Sequence, residues 1–227
     1  GTMIDTLGYS GMDFCILDTE HGPLDMQTIT DLILVAKGTG VDPIVRVGEN
    51  NERLILRALD IGAAGVIVPQ VHTADQAREI ISHCKYTPDG KRGIGIGRAH
   101  KYGIDFDRYI KYANQETAVV LQAESSEAVD NINDIVKLKG IDAILIGPYD
   151  LSASLGKPGE IDHPVVQAAI NKIIKTCQNA KLAMGFFGVT PESVLPYKQK
   201  GFTLLTIGMD TAFLINAAQE MLSKMKK

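Results

Sequence analysis

Short apolar runs bounded by Gly, Pro or Asp alternate along the chain with longer amphipathic stretches, which is the pattern of parallel βα units. Eight such runs are read, at residues 1–4, 13–18, 43–47, 65–70, 117–124, 143–147, 182–188 and 203–208. Those at 66–68 and 143–146 show no polar alternation, as expected of strands covered on both faces.

Between them, residues 26–37 carry Ile29, Leu32, Ile33 and Ala36 at helical spacing, with Gly38 as a stop. Thr73, three residues before Gln76, predicts a capping box opening Ala74–Cys84, and Thr190 before Pro191 predicts an N-cap with Pro in the first helical position. Helices at 126–137, 164–179 and 211–226 complete the set, and their apolar stripes, such as Val165, Ala169, Ile173 and Ile174, read as core packing.

Eight parallel strands in 227 residues predict an α/β fold, a (β/α)8 TIM barrel slightly shorter than the ~250 residues usual for it. A doubly wound open sheet is the second arrangement the pattern allows. Between Ile4 and Asp13 the chain is shorter than the roughly dozen residues a crossover needs, so the first βα unit is expected to be shortened or incomplete. No linker or composition shift divides residues 1–227, which are read as one domain. The segment 86–116, with Gly90, Gly93, Gly95 and Gly97 followed by Tyr102, Tyr109 and Tyr112, is the one candidate insertion, a loop placed to close over a site.

Composition narrows the classes. Hydrophobic residues make up 45 % and charged residues 22 %, which excludes a disordered or collagen-like chain. The net charge of −4 and the lack of a basic run beyond the lysines at 224, 226 and 227 argue against nucleic acid or an anionic membrane as partner. No apolar stretch approaches the ~18 residues of a membrane span, and the first residues lack a secretory layout, so a cytoplasmic protein is expected. Cys15, Cys84 and Cys177 are odd in number and without a CxxC pair, and are read as buried and reduced. His72, His83, His100 and His163 are read as solvated.

In a (β/α)8 barrel the chemistry sits at the C-terminal ends of the strands. There the sequence puts Asp18, Glu20 and His21, then Arg46, then Gln122 and Glu124, then Tyr149 and Asp150. One His, one Arg and several carboxylates on one rim are too charged to be buried without metal, ligand or mutual pairing. Glu124 and Asp150, from neighbouring strands, suit Mg2+ or Mn2+ with water completing the shell, or another divalent ion such as Co2+. The competing reading makes them acids at helix N-termini. Asp18, three residues before His21, is placed to orient the imidazole of a general base. Arg46, in an otherwise apolar strand, requires a carboxylate or an anionic ligand. No lysine ends a predicted strand, so a Schiff-base route lacks its nucleophile. No GxSxG, Walker A or strand-borne GxGxxG occurs, and Gly93, Gly95 and Gly97 form at most an anion-binding nest.

The stretches LDTEHGP (17–23), IVRV (44–47), LDIGA (59–63), QAE (122–124) and GPYDLSASLG (147–156) together resemble the HpcH/HpaI family of class II, metal-dependent pyruvate aldolases, from about residue 11 onward. The resemblance implies that Glu124 and Asp150 hold the metal, that Arg46, Gln122 and Asp150 hold the substrate, and that His21 with Asp18 manages the proton. It further implies a homo-hexamer, a trimer of dimers exchanging the last helix, in which Asp60 acts indirectly across a subunit contact. The chain departs from the pattern at Gly48, where a Pro is common, at Ala123, where a larger apolar residue is common, and at Tyr149, where many relatives have Ala. Tyr149 lies next to a predicted metal ligand and is therefore placed to reshape substrate choice. Relatives also carry a full strand and helix before the GxDF segment. The expected reaction is reversible cleavage of 4-hydroxy-2-oxo acids to pyruvate and an aldehyde through a pyruvate enolate. Two alternatives stay open: a lyase acting on a 3-hydroxyacyl thioester, and a non-catalytic oxo-acid-binding barrel.

Overall fold

The computed structural model describes residues 1–226. In chain order the elements are α1 (Thr2–Tyr9), β1 (Phe14–Asp18), α2 (Met26–Thr39), β2 (Asp42–Arg46), α3 (Glu52–Asp60), β3 (Gly65–Val68) and α4 (Ala74–Cys84). A 3-10 segment (Arg98–Gly103), α5 (Phe106–Glu116), β4 (Ala118–Ala123), α6 (Ser126–Ile135), β5 (Ala143–Ile146) and α7 (Pro148–Ser154) follow. The chain ends with α8 (Pro164–Ala180), β6 (Ala183–Gly188), α9 (Pro191–Gln199), β7 (Leu204–Ile207) and α10 (Asp210–Met225).

The seven strands form one all-parallel sheet in sequence order, with β1 and β7 as its edges among the described residues. Alternation sends their side chains to two faces. Leu17, Val45, Val66, Leu121, Ile144 and Phe186 join the helices in the larger core. Ile44, Ile67, Val120, Ala143 and Leu145 form a second, inner cluster. Phe14 and Ile16 of β1 and Leu204 of β7 pack on that same inner cluster, so the sheet curls until both edges reach one set of side chains. Each fully buried aliphatic side chain contributes about 1.5–3 kcal/mol, which favours the curled over the flat sheet.

Seven of the eight predicted strands are present within a residue or two of their expected bounds. The run at 1–4 is instead part of α1, where Ile4 is buried and Gly8 packs against Thr39 of α2. Four residues do not span two helical turns, so their period could not distinguish the two states. The crossover that was too short is thus a short link from a helix into β1. Both predicted caps form: Thr73 and Gln76 make a reciprocal capping box, and Thr190 caps α9 ahead of Pro191.

Two helices go beyond the sequence reading. The first, α3, is capped by Asn51, which accepts from the Arg53 and Leu54 N–H groups, and it buries Ile55, Ala58 and Leu59. The second, α5, lies inside the segment read as a loop. That segment does not reach the rim of this chain. It runs from the end of α4 to the start of β4, and with Phe14, Asp42 and Ala64 it lines a cavity of about 950 Å3 at the N-terminal ends of the strands. Helix-to-strand connections return at that end, which is why the loop lies opposite the predicted site.

The three cysteines are buried and unbonded, as expected. His100, read as solvated, is buried beside Phe106 and Tyr109. Among the described residues no helix is long and apolar enough to cross a membrane. Lys227, the last of the C-terminal lysines, lies outside the described residues.

Candidate active site

At the C-terminal end of β1 and β2, which pair through Asp18 and Arg46, the two side chains meet directly. Arg46 donates from Nε to Asp18 Oδ1 at 2.8 Å and from Nη2 to Oδ2 at 2.6 Å. Its Nη1 lies 3.2 Å from Glu20 Oε2. The guanidinium thus finds two carboxylates, as its place in an apolar strand required. The link is fixed from the backbone as well, since Thr19 donates through both N–H and Oγ1 to the Arg46 carbonyl.

Asp18 Oδ1 also accepts from the backbone N–H groups of Glu20 and His21, at 3.0 and 3.4 Å. It therefore holds the turn of the DTEHG stretch rather than the imidazole ring. Gly22 closes this turn because a Cβ there would stand 2.4 Å from the Asp18 carbonyl oxygen. The His21 ring is 65 % exposed, and its Nε2 lies 4.0 Å from Glu20 Oε2. The residue nearest the imidazole among the acids is thus Glu20, which the sequence reading did not single out although it stands in the same strand-end stretch.

Across the mouth of the sheet, Glu124 follows β4 and is buried. Oε1 accepts from the Gln70 N–H at 2.7 Å, and Oε2 accepts from Gln122 Nε2. Gln70 adopts a left-handed φ of 55° to present that N–H, a local strain that no sequence pattern announced. Gln122 Oε1 is buried and has no hydrogen-bond partner. Gly147 makes the approach of β5 feasible, because a Cβ there would stand 2.8 Å from Glu124 Oε2. Asp150 lies in the first turn of α7, while the cap of α6 is Ser125, so Glu124 is not spent on capping.

The charges of this cluster are coupled. Burial favours the neutral form of Glu124, the bonds from Gln70 and Gln122 oppose it, the charges of Glu20 and Asp150 add to it, and its pKa is raised. Glu20 is also raised, by burial first and by Asp18 and Asp150 in addition, against the pull of Arg46 and His21. Asp18 goes the other way, because its bonds and charge pairing with Arg46 outweigh its burial.

Two predicted residues stand apart. Tyr149 precedes Asp150 at the rim and meets Phe187 edge-on, 6.3 Å between centroids. Asp60 ends α3 at the opposite end of the sheet, where Arg92 Nη2 donates to it at 2.8 Å while stacking over Tyr86. Within one chain, therefore, Asp18, Glu20, Arg46, Gln122, Glu124 and Asp150 share one mouth with Tyr149 and His21 at its edge, and Asp60 does not reach it.

The family model described as HpcH/HpaI aldolase/citrate lyase matches residues 1–217. The 2-dehydro-3,6-dideoxy-6-sulfogluconate aldolase of Pseudomonas putida is 37 % identical over 98 % of this chain and 87 % of its own length. The hydroxypyruvate/pyruvate aldolase of Roseobacter denitrificans is 35 % identical over 98 % of this chain and 88 % of its own. A solved HpcH/HpaI aldolase/citrate lyase family protein from Burkholderia cenocepacia superposes with a TM-score of 0.95 at 30 % identity, covering 100 % of this chain and 90 % of that one.

Proposed function

Because the chain belongs to the HpcH/HpaI aldolase/citrate lyase family, we propose that it cleaves 4-hydroxy-2-oxo acids reversibly to pyruvate and an aldehyde. It is an aldolase, a carbon–carbon lyase. The observation that carries the reading is the mouth itself, where one guanidinium held by Asp18 and Glu20 faces a second pair of carboxylates, Glu124 and Asp150, at the strand C-termini.

The residues fit a divalent cation of the Mg2+ or Mn2+ kind. Their donors are all oxygens, and Glu124 already carries the repulsion of two neighbouring carboxylates that such an ion would relieve. Among the described residues no three His, Cys, Asp or Glu side chains gather as a metal-binding group, so Glu124 and Asp150 would hold the ion with water and substrate oxygens completing its shell. When bound, the ion supplies a Lewis acid that stabilises enolate charge.

The chain's own groups do the rest. Asp18 engages two of the five N–H donors of Arg46 and Glu20 stands beside a third, which leaves donors for the carboxylate or 2-oxo oxygen of the substrate. Gln122, with its free carbonyl oxygen, orients the same end. His21 takes the proton of the 4-hydroxyl; the C3–C4 bond breaks, its electron pair enters the enolate, and C3 then gains a proton to give pyruvate.

The finer architecture belongs to the same reading: a barrel of the (β/α)8 pyruvate type with an incomplete first βα unit, supported by the inner cluster that β1 and β7 share. So do a cytoplasmic setting and a homo-hexamer. The exposed Phe213, Leu214, Ile215, Met221, Leu222 and Met225 of α10 support association, which would carry Asp60 toward a neighbouring mouth.

The test is proton NMR of pyruvate in D2O with the full chain and Mg2+ or Mn2+, against a chelator control. Loss of the methyl signal only with metal is expected. No exchange under either metal overturns the aldolase reading.

A further inference from the structure

Above the inner cluster, the next inward position on each strand divides the mouth into two chemically different halves. On β1, β2 and β4 it is Asp18, Arg46 and Gln122, with Glu20, Glu124 and Asp150 beyond. On β6 and β7 it is Phe187 and Thr206, partners in the sheet register. Their inward direction follows from alternation. Phe186 belongs to the outer core and stacks on Tyr197 of α9, and Leu204, two residues before Thr206, packs on the inner cluster. Tyr149 leans from α7 onto Phe187 at an interplanar angle of 60° and remains 41 % exposed. Thr206 Oγ1 is buried and has no hydrogen-bond partner.

We propose, on the basis of the aldolase reading, that Tyr149, Phe187 and Thr206 form the acceptor half of the site and that the acceptor is an uncharged aldehyde. Its carbon chain lies against the two rings, and a hydroxyl on that chain, where present, bonds Thr206. In the addition direction the enolate carbon attacks the aldehyde carbon, one C–C bond forms, and the carbonyl oxygen gains one proton to become the 4-hydroxyl. The rest of the acceptor does not react, so its chemistry is set by what lines this half.

Charge decides between acceptor classes. The segments leading from the strands into the helices, α7 and its following loop included, hold no arginine and no lysine other than Lys157. Arg46 is held by Asp18 and Glu20, and its remaining donors are those assigned to the oxo-acid end of the substrate. Among this chain's own strand-end residues, a phosphate, sulfonate or carboxylate on the acceptor would lose water beside Glu20, Glu124 and Asp150 with Lys157 as the sole unengaged cation. Aromatic faces, electron-rich themselves, add to the exclusion and favour apolar carbon. A buried hydroxyl left without a partner, by contrast, gains from an acceptor oxygen.

The experiment compares addition of pyruvate to butanal and to 4-oxobutanoate, which share a four-carbon chain and differ in one terminal carboxylate. The full chain is used with Mn2+, and pyruvate proton exchange is followed in the same samples. The expected kcat/KM is at least about tenfold higher for butanal, and Tyr149→Arg is expected to shift the ratio about tenfold toward 4-oxobutanoate while Tyr149→Phe leaves it in place. Thr206→Val is expected to lower the 2-hydroxybutanal-to-butanal ratio about fivefold. A merely structural role for these side chains would move all acceptors together. Equal or reversed preference in a wild type that exchanges pyruvate protons overturns this proposal alone, as does a ratio that Tyr149→Arg does not move. Absence of exchange overturns the aldolase reading and this proposal with it.

Discussion

Arg46 and Asp18 form a bidentate pair across the β1–β2 register, with both oxygens of one carboxylate engaged by one edge of the guanidinium. The geometry is planar and specific, and a lysine would supply the charge without the fork. Arg46→Lys is therefore expected to lower pyruvate exchange by about 10²-fold, a loss comparable to removing one preorganised donor from a charged site. Arg46→Ala should also lower stability, because Asp18 and the mostly buried Glu20 lose their shared counter-charge. Exchange rates and thermal melts of the two variants check this; near-normal exchange in Arg46→Lys would remove Arg46 from the substrate site.

Glu124→Gln separates metal binding from folding. The substitution removes a carboxylate whose ionised form is disfavoured by burial and by Glu20 and Asp150, so the metal-free fold should melt no lower than wild type by more than a few degrees. Binding of Mn2+, followed by electron paramagnetic resonance, should be lost. A variant that binds Mn2+ as tightly as wild type would take Glu124 out of the ligand set.

The same raised carboxyl gives the metal a pH dependence. A pKa above the ordinary glutamate value means the proton competes with the cation from a higher pH as the solution is acidified. Apparent Mn2+ affinity is therefore expected to begin to fall at a higher pH than an ordinary glutamate ligand would impose, and to level off as pH rises. Titrations at a series of pH values test this, and an affinity flat across the series would contradict it.

Much of the fold was legible because the strands are short, apolar and punctuated: Val66–Val68 and Ala143–Ile146 could be little else than buried parallel strands. The gathering of Asp18, Arg46, Gln122 and Glu124 at one end of the sheet was legible because strand C-termini are a fixed address, so their shared rim could be read before any distance was known. Three things were not. The four residues at 1–4 are too few to show a period, and they are the cap and first turn of α1. The long Tyr-rich segment gave no sign of which end of the sheet it covers. The roles of Glu20, Gln70, Phe187 and Thr206 depend on partners far away in sequence, and Gln70 acts through a backbone N–H that any residue could present.

Asp18 yields a prediction of opposite sign to Glu124. Burial favours its neutral form, but Arg46 and the two backbone N–H groups outweigh burial, so its folded pKa lies below the ordinary aspartate value. A depressed pKa contributes stability that is fully present above the unfolded-state value and is lost as pH falls through the folded one. Asp18→Asn should therefore lower the melting temperature most at neutral pH, and the gap to wild type should close as the solution is acidified below the ordinary aspartate range. Asparagine retains an oxygen for the Glu20 and His21 N–H groups, so the turn at Gly22 can persist while the charge pairing with Arg46 is lost. A gap that stays constant with pH would mean that Asp18 stabilises the turn through its shape, and that its ionisation is not what holds Arg46 in place.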